Sequence, residues 1–430
     1  MKNDKIIKSS HYGHRPWWFK ALNTTWEKAY AVGAKPNLDK DSLIRAARKS
    51  TGLTDLGKDF MDEPLERFLW SMKKEAQLHP IGAFISRQRM INLICARLRA
   101  EEIFRKHPEI LQMPMPPVWV ILGLQRTGTT KLHRLLAADE QNRVLLSWEA
   151  INPVPLEIQN SKLETRNLEP ETRNPKQDKR VAIAKTSENA LRLMAPGFFA
   201  IHPVEHNAPE EDILLLDMTF LSTTPEATMN VPSYAAWLEK TDQGPAYAYM
   251  VKLLKLLQWQ RPGKRWILKS PHHLEFTDQI DKHFDDVHFL WTHRDVTECI
   301  PSFISMMAHS RVIFTNDLDG NAIARHWIRK TGYMLEKGLE YRLKNQHKDQ
   351  FKDIFYNDLV TDAASVLEGI YRLDGGMTPE LLESFATAEK ENPMRKYGIH
   401  EYRIEDFGAT KEDILEKTAN YRSFLNNILK

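Results

Sequence analysis

The sequence predicts an α/β fold: a parallel β-sheet flanked by helices, with a mainly helical N-terminal region before it and a helical insertion within it. Two observations carry this expectation. Three short apolar runs, 118–122, 266–268 and 287–291, have strand length and no polar alternation, as strands buried on both faces do. Between the second and third runs, residues 274–284 are long enough for the crossover helix that a parallel pair requires.

In chain order, residues 1–112 are expected to be helical and to pack on the core. Ile91, Ile94, Cys95 and Leu98 fall at i, i+3, i+4 and i+7, flanked by Arg87, Arg97 and Arg99, the stripe of a packing helix. The proline-rich segment 113–117 ends this region. Residues 113–430 then form the α/β domain, opening on Val118-Trp119-Val120-Ile121-Leu122. Residues 161–180 are densely charged and read as a solvated helix or loop. Beyond them Leu193, Met194, Phe198, Phe199, Leu214, Leu215, Met218, Phe220, Tyr234 and Trp237 make 155–260 a helical insertion. It serves either as a second packing layer or as the apolar cover of a pocket. A fourth strand is expected at 353–356.

At 430 residues, with 42% hydrophobic and 27% charged residues, the composition is that of a globular protein with room for a sizeable core. A net charge of +3 from 60 basic and 57 acidic residues argues against a surface built for nucleic acid, and is compatible with a local basic pocket. The two cysteines, Cys95 and Cys299, have no metal-ligand neighbours, so neither a disulfide scaffold nor a metal site is expected. The N-terminus lacks the apolar stretch of a secretory signal. The uncharged stretch 110–125 is broken by Pro114, Pro116 and Pro117, too early for a membrane span. The expected location is cytoplasmic.

The first strand runs into Gly123-Leu124-Gln125-Arg126-Thr127-Gly128-Thr129-Thr130 and then into a helical pattern. A strand, a glycine-bearing loop and a helix N-terminus together make an anion site, because backbone N–H groups and the helix dipole converge there. The sheet is therefore expected to be P-loop-like. Thr129, however, stands where a nucleoside triphosphatase has its lysine, and Arg126 puts the positive charge earlier in the loop.

This loop resembles the 5′-phosphosulfate-binding loop of the sulfotransferases that use 3′-phosphoadenosine-5′-phosphosulfate (PAPS). It is most similar to that of the large bacterial branch, Leu-Pro-Arg-Thr-Gly-Thr-Thr. A second stretch, Thr292-His293-Arg294-Asp295 followed by Ser302, resembles the family's 3′-phosphate site, an Arg with a Ser eight residues on. Further likenesses are Leu268-Lys269-Ser270-Pro271-His272-His273-Leu274, Tyr356-Asn357-Asp358-Leu359, and His400-Glu401-Tyr402 with Asp406-Phe407-Gly408. Glu63-Pro64-Leu65 and Trp148-Glu149 also fit, so the resemblance spans roughly residues 60–425.

The resemblance implies that Gln125, Arg126, Thr127, Gly128, Thr129, Thr130, Arg294, Ser302, Tyr356 and Tyr402 hold PAPS and its product PAP, without a metal. It also implies a small hydroxyl-bearing acceptor, and the aromatic 155–260 segment suits an apolar one. Departures from the animal enzymes are plain: Arg126 replaces a lysine, Pro271 stands where their catalytic histidine stands, and Arg395-Lys396-Tyr397-Gly398 has Tyr397 inserted.

Sulfuryl transfer needs charge stabilised on the leaving phosphate and a proton removed from the acceptor. Lys269, at a strand end, is suited to the first task. His273 is the preferred base, with His206, Glu210 and Glu211 as rivals, although two carboxylates before a helix also simply favour its N-terminus. Two other readings stay open: a P-loop nucleotide kinase, and a non-catalytic PAPS- or PAP-binding protein.

Overall fold

The computed structural model describes residues 6–58, 62–156, 178–344, 348–393 and 396–429. Seven strands occur among them: β1 (Ile6–Lys8), β2 (Val118–Leu122), β3 (Asn142–Val144), β4 (Arg265–Lys269), β5 (Val287–His293), β6 (Phe351–Phe355) and β7 (Ile399–Glu401). Five of them form one parallel sheet in the order β3-β4-β2-β5-β6. β1 and β7 form a separate parallel pair that ties the two ends of the chain together.

All five residues of β2 are buried. Its side chains divide by parity, as the pleat demands. Val118, Val120 and Leu122 enter the larger core, and Trp119 and Ile121 the smaller one. The larger core also receives Leu43 and Ala47 of the Lys40–Thr51 helix, Phe68 and Leu69 of Asp62–Lys74, and Ile94 and Leu98 of Pro80–Lys106. The smaller core joins Leu132, Leu135 and Leu136 of the Thr129–Leu136 helix to Leu359, Leu367, Ile370 and Phe385. Each such side chain, fully buried, contributes about 1.5–3 kcal/mol of transfer free energy. Helix and loop are thereby fixed on the end of β2.

The crossover from β4 to β5 passes over β2 through a short 3-10 turn, Pro271–Leu274, and the helix Thr277–His283. β6 starts two residues earlier than the sequence suggests, and Tyr356 opens the helix Tyr356–Thr361 instead of closing the strand. β3 was not expected. It is three residues long and polar, with Arg143 buried against Glu149 at 2.7 Å and stacked 4.6 Å over Trp266. Most of the charged 161–180 segment lies outside the described residues; the helix Lys179–Met194 follows it, capped by the Asp178 side chain. Cys95 and Cys299 are both buried free thiols. No helix among the described residues is long and apolar enough to cross a membrane.

Candidate active site

The loop after β2 is held by close packing and short hydrogen bonds. Gly123 has φ +133°, and a Cβ there would lie 2.2 Å from Thr292 Oγ1, so only glycine lets β2 and β5 meet at this point. The Thr127 hydroxyl donates to the Leu124 carbonyl and sits 2.6 Å from the Thr292 hydroxyl, which bonds the Leu122 carbonyl. Arg126 is left-handed at φ +71°, a conformation that a non-glycine residue adopts only where its surroundings enforce it. Gly128 caps the Thr129–Leu136 helix without a side-chain hydrogen bond. No hydrogen bond satisfies the amides of Thr129, Thr130 and Lys131 among the described residues, and such open first-turn amides suit an anion.

Arg126 reaches across the sheet end. Its Nε donates to Ser302 Oγ at 3.1 Å and its Nη1 to the Ile201 carbonyl at 3.3 Å. Burial, joined by Arg294, depresses its pKa from the ordinary arginine value, with Tyr402 and Tyr356 opposing. Arg294 leaves the end of β5 and donates from Nη1 to the Arg126 carbonyl at 3.0 Å. Its Nε and Nη2 fork onto Glu298 Oε2 at 3.1 and 2.7 Å, and the guanidinium lies 4.2 Å over the Tyr356 ring. Ser302 is presented by the Val296–Arg311 helix, whose N-terminus is capped by Asp295. Arg126, Arg294, Ser302 and Tyr356 thus form one group, and a planar fork already bound to a carboxylate is suited to an oxyanion.

At the end of β4, Lys269 Nζ meets Glu211 Oε1 at 2.7 Å, and the Lys269 amide donates to Asp212 Oδ2 at 2.7 Å. Asp212 Oδ1 also meets His273 Nε2 at 2.6 Å, and His273 Nδ1 meets the Tyr247 hydroxyl at 2.8 Å. Burial works to raise the Asp212 pKa, but His273 and the Lys269 amide outweigh it and hold the carboxyl low. His273 is fully enclosed with both nitrogens engaged. It lies beneath the sheet end, away from open space. Glu210 accepts from the Glu211 amide at 2.8 Å, and its carboxyl is raised by burial against the pull of Lys269. His206 is tied to Glu188 at 2.7 Å. A four-residue helix, Ile213–Leu216, does follow the acidic pair.

A cleft of about 610 Å³ opens over the loop. Of the expected residues, Gln125, Arg126, Gly128, Thr129, Thr130, Glu211, Arg294, Ser302, Tyr356 and Tyr402 line it. Thr127 and Lys269 are buried and not in its wall, although Glu211, the ion-pair partner of Lys269, is. His273, Glu210 and His206 are not in its wall. Lys131, Arg134 and His202 line it although the sequence did not single them out, and Lys396 and His400 join them from the two C-terminal stretches compared with the family above. Lys131 and Arg134 could have been found one helical turn into the loop helix; His202 carries no such spacing signal. Arg395 lies outside the described residues. The donor set suits a multiply charged anion: three arginines, two lysines, the open loop amides, and Arg134 Nε, buried without an acceptor among the described residues.

No curated protein matches the chain. Solved structures do. Sulfotransferase STF1 from Mycobacterium tuberculosis H37Rv is 28% identical, over 89% of this chain and 98% of that one, with a TM-score of 0.74. Sulfotransferase STF9 from Mycobacterium avium is 23% identical, over 90% of this chain and 97% of that one, with a TM-score of 0.77, a likeness of fold. A family model described as the sulfotransferase family matches residues 117–375, a range that holds the five-stranded sheet and the loop after β2. The chain belongs to the sulfotransferase family.

Proposed function

We propose that the protein transfers a sulfuryl group from PAPS to a hydroxyl of a small, mainly apolar acceptor. The observation that carries this reading is the convergence of Arg126, Arg294 and Ser302 beside the open amides of the Thr129–Leu136 helix. That arrangement offers two anion sites within one cleft, as a nucleotide with phosphates at both ends of its ribose requires.

In this reading Thr129, Thr130 and the loop amides hold the 5′-phosphosulfate, with Arg126 spanning toward the 3′ side. Arg294 and Ser302 take the 3′-phosphate. Tyr356 and Tyr402 flank the nucleotide. Lys269 stabilises charge growing on the bridging oxygen, and Glu211 fixes its ammonium in place as counter-ion. Fixed cations in a partly desolvated cleft do this without reorganising at the moment of reaction. PAPS supplies the activated sulfuryl group; the chain supplies alignment, charge and a proton acceptor. The 155–260 insertion contributes Ala200, Ile201, His202 and Pro203 to the wall, and we assign it the acceptor's side. A kinase reading gains nothing from the geometry, since Thr129 keeps the place of the phosphate-reaching lysine.

The test is incubation of the protein with sulfur-labelled PAPS and a mixture of small alcohols, sterols and phenols. A labelled sulfate ester is expected. PAP bound tightly with no transfer to any acceptor would favour the non-catalytic binding reading, and magnesium-dependent turnover of ATP would overturn both.

A further inference from the structure

Two imidazoles line the cleft, His202 and His400. His400 is bonded through Nε2 to Ser305 Oγ at 2.8 Å. Among the described residues neither ring nitrogen of His202 has a partner. Its backbone closes the Pro196–Ile201 helix, donating to the Phe198 carbonyl at 2.8 Å. The Phe198 ring supports the imidazole at 5.8 Å. The preceding carbonyl, that of Ile201, accepts from Arg126, so the chain at His202 is fixed against the loop. The four expected bases differ, Glu210 because it is outside the cleft wall and accepts from the Glu211 amide. His273 spends both nitrogens inside the protein, His206 is tied to Glu188, and Glu211 is committed to Lys269.

We propose that His202 is the catalytic base that takes the proton of the acceptor hydroxyl. This deepens the sulfotransferase reading and rests on it. As the acceptor oxygen forms its bond to sulfur, its proton passes to a free nitrogen of His202. The bond from sulfur to the bridging oxygen breaks, and its electron pair stays on the 5′-phosphate, beside Lys269. Alcohol and PAPS thus yield sulfate ester, PAP and one proton, which the imidazolium releases to water through the open cleft.

The surroundings add a condition. Burial, with Lys269 from β4, Arg126 from the loop and Arg134 from the Thr129–Leu136 helix, pushes the His202 pKa down to about 3 in the ligand-free protein. Of these cations, Lys269 is paired with Glu211 and Arg134 with Glu205. A multiply charged nucleotide beside these cations offsets them, so the imidazole gains basicity once the donor is seated. A weak base before donor binding and a stronger one after it favours binding the donor first.

Two measurements on the full chain test this. Histidine-labelled protein, with the His202 signal assigned by its loss in His202→Gln, is titrated by NMR with and without saturating PAP. The ligand-free imidazole should stay neutral down to pH 5, and PAP should raise its midpoint by at least one pH unit. No movement on adding PAP overturns the proposal. Separately, transfer from PAPS to benzyl alcohol and to 4-nitrophenol is compared in wild type and His202→Gln. The alcohol rate should fall by at least ~100-fold, the phenol rate by much less, and PAP affinity should stay within about twofold. An unchanged alcohol rate in the variant also overturns it. If wild type fails to prefer PAP over AMP, the donor reading itself falls, an outcome distinct from either of these.

Discussion

Arg294→Ala addresses the donor site most directly. In the structure Arg294 gives one N–H to the Arg126 carbonyl and two to Glu298. A 3′-phosphate would take the fork from Glu298, whose side chain is largely exposed. The exposed pair it replaces is worth under about 1 kcal/mol, whereas a charge-assisted phosphate contact is worth about 1.5–3 kcal/mol. The net gain of about 0.5–3 kcal/mol corresponds to roughly 2- to 150-fold in affinity. The third N–H supports the loop backbone, so part of any loss will also appear with AMP. The informative quantity is therefore the ratio of PAP to AMP affinity, read by calorimetric titration at fixed ionic strength. Wild type should prefer PAP over AMP, and Arg294→Ala should shrink that preference by roughly 2- to 150-fold. Glu298→Gln, which removes the competing carboxylate, should raise PAP affinity by roughly two- to fivefold. Equal wild-type affinity for the two nucleotides, or a variant that weakens both equally, would refute the assignment of Arg294 to the 3′-phosphate.

Lys269→Ala should slow transfer to acceptors of every acidity by a similar factor, about 10²–10³, since they share one leaving group; a loss that varies with acceptor pKa in rate assays would place Lys269 on the other side of the reaction. Tyr247→Phe strips a buried hydrogen bond from His273 and should cost about 1–3 kcal/mol in urea unfolding, with the transfer rate nearly unchanged. A hundredfold rate loss at unchanged stability would return His273 to the chemistry. Glu149→Ala leaves Arg143 buried without its carboxylate and should cost about 3–5 kcal/mol. Burial alone would raise the Glu149 pKa, but Arg143 and Arg261 outweigh it and take the value from 4.5 to about 2. The folded value is the lower one, so the pair's contribution is full above pH 4.5 and drains away as pH falls toward 2. Wild type should show that extra acid sensitivity in unfolding midpoints measured across this window, and Glu149→Gln should lack it.

What the sequence revealed followed from how each residue declares its surroundings. β2, β4 and β5 are central and apolar, so their burial shows as unbroken hydrophobic runs; the loop after β2 shows because glycines are required at Gly123 and Gly128. β3 stayed hidden because its burial is achieved by pairing Arg143 with Glu149 and stacking it on Trp266, which no hydrophobic pattern records. β6 was misplaced by two residues because only Ile354 is buried in it. In the cleft, the loop residues, Arg294 and Ser302 were legible from spacing along single elements. His202 was not, since it reaches the cleft from a separate short helix that sequence distance does not connect to the loop. His273 misled for the opposite reason. Ser270 is extended and caps the 3-10 turn through His272, and that turn carries His273 inward to Asp212 and Tyr247 while the Lys269 ammonium pairs with Glu211 in the cleft wall.

The neighbouring acids Glu211 and Asp212 show how the two halves of the proposed reaction are kept in register. Glu211 turns toward the cleft and holds the Lys269 ammonium; Asp212 turns inward and holds the Lys269 amide and His273. One strand-end lysine is thus gripped at its backbone and at its tip by two consecutive residues of the insertion. The same stretch is fastened from behind. The Ser147 and Trp148 amides donate to the Ala208 and His206 carbonyls, and the Glu210 amide to the Leu145 carbonyl. A segment bonded on both sides behaves as a fixed wall rather than a lid, because releasing it would strand a buried carboxylate and several backbone groups at once. The wall carries His202 four residues before this fastened stretch begins, and Arg126 holds the chain just ahead of it through Ile201. The distance between the proposed base and the leaving-side cation is therefore set by the fold before any substrate arrives, which is the arrangement that in-line transfer demands.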